Sequence, residues 1–200
     1  MTRPDLAWAY SELSKYVQFP GKNDNAEHVL WYFRGTWNQT IRYSHENLNV
    51  LWGWVDADWA GNTDTRRSHT EYILMMNGGP ISWKSRRQDN LSLSTSKAEF
   101  VAASQAGQEA IYLRDTLTDF GFSQTKATLL YEDNLACVAM SENPGRRKFC
   151  RHIDIRKYFV RDLVLNGLKL VPLRTHKMVA DALTKSLLSM AFVGHRQIMP

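Results

Sequence analysis

Residues 50–56, Val50-Leu-Trp-Gly-Trp-Val-Asp56, form an apolar run that ends in a carboxylate. A short run rich in aromatic and β-branched residues predicts a buried strand. Further strands are predicted at 71–76 and 81–84, and the turn Asn77-Gly-Gly-Pro80 between them predicts a hairpin. Residues 91–94 are expected to extend the sheet. The central part of the chain therefore begins with strands that are joined by hairpins.

Beyond residue 94 the helical and strand patterns alternate. Apolar spacing from Ser94 to Gly121 predicts a long helix, with Ser94 or Thr95 as N-cap and the glycine as its stop. The predicted elements that follow are a strand at 127–133, a helix at 134–140, a helix at 153–165, a strand at 168–173 and a C-terminal helix from about Met178. This order predicts the α/β class, with one mixed sheet and helices on its faces.

Two helical stretches, at 6–17 and 27–34, precede the sheet. A segment of about 45 residues with two helices buries little core by itself. We therefore interpret residues 1–48 as the tail of a preceding domain or as a helical packing appendage. The main domain is predicted to span 49–188, and residues 189–200 are assigned to a tail.

Composition narrows the class of protein. The chain has 25 Lys and Arg against 20 Asp and Glu, a formal charge of +5, which is compatible with a nucleic-acid partner. It has no apolar run of the roughly 18 residues that a membrane span needs, and its first ten residues lack the apolar stretch of a secretory signal. Cys137 and Cys150 lack the spacing of a zinc site, as expected in a reducing compartment. We expect an intracellular protein that is not secreted and does not enter a membrane.

Carboxylates mark the predicted strand ends and helix starts. Asp56 and Asp133 end strands, whereas Glu99 and Asp181 lie early in helices. Neighbouring strand ends in an open α/β sheet converge on a crevice, and four carboxylates there would repel one another unless a cation neutralised them. Mg²⁺ or Mn²⁺ suits such oxygen ligands. Five other acids compete for these roles, so the pattern by itself does not choose among them: Asp58, Asp64, Asp89, Glu132 and Asp154.

The sequence motifs around these acids are more specific than the spacing of the acids. The motifs occur in this order: Gly53-Trp-Val-Asp-Ala-Asp-Trp-Ala-Gly61, Arg66-Arg-Ser68, Gly78-Gly-Pro-Ile-Ser-Trp83, Ser94-Thr-Ser-Lys-Ala-Glu-Phe100, Tyr131-Glu-Asp-Asn134, Asn143-Pro144, His152-Ile-Asp-Ile-Arg156 and Ala180-Asp-Ala-Leu-Thr-Lys185. Together they resemble the ribonuclease H domain of copia-type LTR retrotransposon polyproteins. Upstream, Thr2-Arg-Pro-Asp-Leu6 and Tyr32-Phe-Arg-Gly-Thr36 resemble the end of the reverse transcriptase of the same polyprotein.

The resemblance implies a fold, a reaction and a metal site. It implies a ribonuclease H-like five-stranded mixed sheet with flanking helices, and hydrolysis of the RNA strand of RNA–DNA hybrids with two Mg²⁺ or Mn²⁺ ions. The family's catalytic, metal-binding acids fall on Asp56, Glu99, Asp133 and Asp181. Asp56 would bridge both ions, Glu99 and Asp133 would hold the ion nearer the leaving group, and Asp181 would hold the ion that activates water.

The chain also departs from the family pattern. Lys97 stands where the family usually has Glu, Glu71 where it has Gly and Glu132 where it has Cys, and the stretch 145–150 is atypical. These changes leave open a catalytically decayed remnant that binds nucleic acid, or one that only braces a polymerase. No paired-Asp polymerase motif is found, because Tyr131-Glu-Asp-Asn134 falls inside the ribonuclease H stretch, so we predict no DNA synthesis by this chain.

Further residues are candidates for substrate contact or proton transfer. His176, five residues before Asp181, is a possible proton shuttle, and Asn134 is either a contact to the scissile strand or a helix N-cap. The basic candidates for phosphate contacts are Lys84, Arg87, Arg146 and Arg147. The expected partners are an RNA–DNA hybrid and the reverse transcriptase and integrase parts of the parent polyprotein. The expected location is the cytoplasm, in a virus-like particle, with the nucleus as an alternative.

Overall fold

The structure is built around a five-stranded mixed sheet. It is a computed structural model that describes residues 2–17, 24–45, 49–61, 66–142, 160, 162–183 and 189–198. The strands are β1 (Trp52–Asp58), β2 (His69–Met76), β3 (Gly79–Arg87), β4 (Thr128–Glu132) and β5 (Leu168–Pro172), in the order β3-β2-β1-β4-β5. β2 pairs antiparallel with β1 and β3, whereas β4 pairs parallel with β1 and β5. The predicted α/β class with a mixed five-stranded sheet is confirmed.

The hairpin between β2 and β3 forms at the predicted turn. Asn77 and Gly78 both have positive φ, 53° and 80°. Two consecutive left-handed residues define the type I′ turn, whose twist matches that of the flanking strands. The side chain of Asn77 also accepts a hydrogen bond from the backbone amide of Asn49 at 2.7 Å, which ties the turn to the residues before β1.

The expected extension of the sheet at 91–94 is wrong, because no residue of this segment is a strand residue. Its polar groups are used elsewhere. The carbonyl of Ser92 accepts from Trp59 Nε1 at 2.9 Å, and Ser94 caps the following helix. Leu91 and Leu93 are exposed. The segment is therefore a capping loop, and local hydrogen bonds take the place of a strand ladder.

The α-helices whose two ends both lie among the described residues are α1 (Ala7–Ser14), α2 (Asp24–Gly35), α3 (Thr95–Asp119), α4 (Leu135–Glu142) and α5 (Ser189–Ile198). α3 agrees with its prediction at both ends. Ser94 accepts a hydrogen bond from the amide of Lys97, and Gly121 follows the helix with φ of 86°. The amide of Phe122 bonds the carbonyl of Leu117 at 2.7 Å, the geometry of a glycine-terminated helix. Within the described ranges, no helix combines the length and apolarity that a membrane span requires.

Each face of the sheet carries its own core. Val55 and Leu74 lie on the face that packs against α3, where a run of alanines in the helix permits a close approach. Trp54 and Ile73 lie on the opposite face, together with Ala7 of the N-terminal segment and Leu183. The alternation follows from the period of two along each strand. Polar residues on either face are therefore buried beneath a helix or a turn.

The two ends of the chain meet on this second face. α1 packs against β3. Arg3 and Asp5 form an ion pair at 2.7 Å, and Tyr32 of α2 donates to Asp5 at 2.7 Å. Phe192 of α5 contacts the ring of Tyr32 edge to face. The N-terminal segment is thus packed on the sheet; its boundary at residue 48 and its origin in a reverse transcriptase stay predictions.

The C-terminal prediction needs correction. The helix expected from about Met178 is absent there, since 3-10 turns occupy Thr175–Lys177 and Val179–Leu183. The α-helix begins later, at Ser189, within the segment assigned to a tail. Burial of Met178, Val179 and Ala180 against the sheet holds this segment in tight turns. Most of the helix predicted at 153–165 lies outside the described residues; residues 162–165 are helical.

Gly53 provides a test of this packing. A Cβ built on Gly53 would lie 2.3 Å from the backbone carbonyl oxygen of Ile73 in the neighbouring strand. We expect Gly53→Ala to lower the free energy of unfolding by about 2 kcal/mol or more, because strand backbone must move. Urea unfolding followed by circular dichroism measures this. The control is Gly35→Ala, where no atom lies within 4 Å of the added carbon; an equal loss in both variants would contradict the packing argument.

Candidate metal centre

Three carboxylates converge at one end of the sheet. Asp56, Glu99 and Asp133 each offer an oxygen, and these oxygens all lie within 4.8 Å of one another. Asp56 and Glu99 are 7% and 3% exposed, and Asp133 is half-buried. Among the described residues this group could hold a metal ion.

The sheet and α3 bring these residues together. β1 and β4 run parallel with Trp54 opposite Tyr131, so Asp56 and Asp133, each two residues further on, reach the same end of the sheet. The Ser94 cap sets the first turn of α3, and Glu99 follows in the next turn, on the helix face that is buried against β1 and β2. The convergence therefore requires the parallel pairing and the helix start together.

The group is strongly self-repelling. Burial raises the pKa of Glu99, and the nearby carboxylates of Glu132, Asp56 and Asp133 raise it further. Burial likewise raises the pKa of Glu132, which is fully buried beside Asp133. Glu99 Oε2 and Glu132 Oε2 have no hydrogen-bond partner. Negative charge that is buried away from water must be neutralised, either by protons or by a cation.

Asp133 has a direct hydrogen-bond partner. Thr175 Oγ1 donates to Asp133 Oδ2 at 2.8 Å, from the 3-10 turn that follows β5. The next residue in that turn is the exposed His176. Thr175 was not among the sequence candidates, and no motif signals it, since its role depends on how the C-terminal turns meet the end of β4.

The fourth predicted acid lies in a different element. Asp181 is 7% exposed in the turn Val179–Leu183, which packs against β1 and β2. It is not a member of the three-carboxylate group found among the described residues. Its predicted role as a metal ligand stays a prediction.

The other residues predicted to contact the substrate lie in different elements or outside the described residues. Asn134 Oδ1 accepts hydrogen bonds from the amides of Ala136 and Cys137 at 3.1 and 3.0 Å. Its side chain is therefore the N-cap of α4, one of the two roles predicted for it. Lys84 and Arg87 lie on the edge strand β3, two strands from β1. Arg146 and Arg147 lie outside the described residues. Lys97 forms none of the ion pairs found among the described side chains.

The donor set fits hard divalent cations. Each of the three ligands is a carboxylate oxygen, and these donors suit Mg²⁺ and Mn²⁺. Glu99 Oε2, which is buried and has no hydrogen-bond donor, is an acceptor that a cation in this site would satisfy. Asp56, Glu99 and Asp133 are therefore the residues that would hold a metal ion.

Comparison with solved structures identifies the fold. The chain is similar to LC11-RNase H1, isolated from compost by a metagenomic approach, with a TM-score of 0.54 and 16% identity over 68% of this chain and 93% of that one. The same protein in complex with an RNA/DNA hybrid gives a TM-score of 0.53 at 14% identity, covering 66% of this chain and 92% of that one. The sheet, its helices and the acidic end thus define a ribonuclease H-like protein by fold. No protein-family model matches the chain.

Sequence relatives specify which group of such proteins is involved. The chain is 37% identical over 92% of its length to the retrovirus-related Pol polyprotein from transposon TNT 1-94 of Nicotiana tabacum, and 34% identical over 96% to that from transposon RE2 of Arabidopsis thaliana. It belongs to the copia-type retrotransposon Pol polyprotein family. It spans 14% and 13% of the lengths of these two relatives.

The raised pKa values predict an unusual pH dependence. Glu71, Glu99 and Glu132 all have pKa values raised above the ordinary 4.5, so the folded state binds more protons and loses stability as pH rises above that value. His69 has a lowered pKa, so it makes stability rise with pH, but only below about pH 6.5. In EDTA we expect Tm to fall by about 5 °C between pH 6.5 and 8.5.

Differential scanning calorimetry measures this slope. Saturating Mn²⁺ should flatten it, because a bound cation replaces the protons as the neutralising charge. A Tm in EDTA that stays constant or rises over this range would contradict the charge repulsion described for the site.

Proposed function

We propose that this chain is a metal-dependent ribonuclease H that hydrolyses the RNA strand of RNA–DNA hybrids during retrotransposon reverse transcription. The observation that carries the proposal is the convergence of Asp56, Glu99 and Asp133 within 4.8 Å at one end of a ribonuclease H-like sheet. Membership of the Pol polyprotein family and the hybrid-bound structural neighbour support the choice of substrate.

The chain's own residues would divide the work. The metal ions would be bound by the carboxylates of Asp56, Glu99 and Asp133. Thr175 orients Asp133 by a hydrogen bond from its hydroxyl group. The chemistry that two bound Mg²⁺ or Mn²⁺ ions would supply there is activation of a water molecule as nucleophile and stabilisation of the leaving oxygen. Asp181 is the fourth acid proposed for this centre. His176, which is exposed next to Thr175, is the proposed proton shuttle.

The positive charge of the chain and its membership of a polyprotein family support a nucleic-acid substrate. The net charge of +5 favours a polyanion, and Lys84 and Arg87 on β3 are proposed to contact phosphates, together with Arg146 and Arg147. Such contacts position a hybrid without reading its sequence. The proposed partners are the reverse transcriptase and integrase parts of the same polyprotein, in a cytoplasmic virus-like particle or the nucleus.

One alternative has a specific observation in its favour. Lys97 stands two residues before Glu99 on α3, where the family usually has an acidic residue, so the chain carries a positive charge at a position that is negative in its relatives. A chain that retains hybrid binding without cleavage would be a decayed remnant. Hybrid binding measured by fluorescence anisotropy, alongside cleavage, separates this alternative from the nuclease.

The decisive experiment is cleavage of a labelled RNA–DNA hybrid. Asp56→Asn and Asp133→Asn should each reduce Mg²⁺-dependent cleavage of the RNA strand by at least about 100-fold, because each removes ligand charge with little change in volume. Asp119→Asn is the matched control, since Asp119 ends α3 roughly 30 Å along the helix from Glu99. Metal-independent cleavage, or full activity of either variant, would reject the proposed centre.

His176 is tested separately. We expect His176→Ala to slow cleavage about 10-fold without abolishing it, because solvent can replace a single proton-transfer group at an exposed position. His28→Ala, at another described histidine, controls for the loss of an imidazole. The rate measured against pH shows whether the effect follows the protonation of His176, and an unchanged rate would remove His176 from the mechanism.

A further inference from the structure

Glu71 lies directly beside the candidate metal centre. The antiparallel register of β1 and β2 places Glu71 opposite Asp56, two positions along the strands from the Trp54–Ile73 pair. Residues that are opposite in an antiparallel pair project to the same face, with Cβ atoms roughly 5 Å apart. The side chains of Glu71 and Asp56 are therefore neighbours on the face of the sheet that the 3-10 turn Val179–Leu183 covers.

The carboxyl group of Glu71 is buried without a partner. The residue is 0% exposed, and neither Oε1 nor Oε2 has a hydrogen bond. Glu99 and Glu132 each have one such oxygen, whereas Glu71 has two. None of the ion pairs found among the described side chains includes Glu71.

The surroundings of Glu71 are negatively charged. Burial raises its pKa, and Asp56, Asp58 and Glu99 raise it further in that order. The backbone amide of Asp58 lowers it by a smaller amount without reaching hydrogen-bond geometry. The register, the complete burial and the lack of a hydrogen-bond partner thus put this carboxyl group beside Asp56, where like charges repel one another and a cation attracts both.

Local packing gives no reason for a glutamate here. A buried carboxyl group without a donor costs stability, and an apolar side chain of similar volume on this face, which also carries Ile73, would avoid that cost. A divalent cation held by the neighbouring carboxylates would reverse the sign of the interaction, because opposite charges attract strongly where water is excluded.

We propose that Glu71 is a positioning residue of the metal centre: its buried carboxyl group, opposite Asp56 in the register of β1 and β2, raises the affinity of the Asp56–Glu99–Asp133 group for divalent cations. Glu71 does not belong to the group of three possible ligands, so it acts through Asp56 and not by coordination. The proposal rests on the metal centre of the proposed function, but it concerns cation affinity and not cleavage.

Calorimetric titration of the metal-free protein with Mn²⁺ tests this. Glu71→Gln and Glu71→Met, both neutral, should weaken Mn²⁺ binding about 10-fold or more, whereas Glu71→Asp, which keeps the charge, should restore most of the affinity. Glu142→Gln is the matched control, because it removes the same charge from an exposed position at the end of α4. The Mn²⁺ affinity of Asp56→Asn gives the reference value for a centre that has lost one ligand.

Unfolding in EDTA shows whether each variant is folded. We expect Glu71→Met to be at least as stable as the wild type there, and to gain less in Tm from Mn²⁺; a purely structural role would give the reverse pattern. Wild-type Kd values in both neutral variants, or equal weakening by Glu71→Asp and Glu71→Gln, would overturn the proposal. So would the absence of Mn²⁺ binding by the wild type. Tight Mn²⁺ binding that depends on Glu71, without hybrid cleavage, would support this proposal and reject the proposed function.

Discussion

Mutual repulsion among buried carboxylates is the constraint on which this structure depends. Asp56, Glu71, Glu99 and Glu132 are almost completely withdrawn from water at one end of the sheet. The fold tolerates them because β1, β4 and α3 are fixed by apolar contacts elsewhere, chiefly through Val55, Leu130 and Ala102. The apolar cores therefore supply the free energy that holds the acids together, and a bound cation would recover part of it. Such opposition between stability and function is typical of sites that bind metal ions.

Much of this architecture follows from local sequence. The apolar run before Asp56, the Asn77-Gly78 turn and the Ser94 cap each have a direct chemical meaning, and the strands and α3 form where these signals place them. Asp56 and Asp133 are candidates from local sequence because each ends a predicted strand, and strands that run in parallel end at a common edge. The choice of the four acids from among their competitors depends on the family resemblance.

The errors share a cause. Residues 91–94 carry two leucines that favour a strand, but the partners of this segment are Trp59 and the start of α3, which no local pattern shows. The C-terminal segment is held in 3-10 turns by its burial against the sheet, a tertiary effect. The same holds for Thr175, and for Glu71, whose importance is visible only once β1 and β2 are in register. Long-range contacts determine each of these features.

The parallel pairing of β1 with β4 also has a kinetic consequence. Trp52 lies opposite Leu129, so the chain between them must already be folded back before the pair can form. Contacts between residues so far apart in sequence generally form late and slow the folding of a domain. Because the acids of β1 and β4 meet only after this step, a cation held by them would act on the completed structure. It would prolong the lifetime of the folded state more than it would hasten folding.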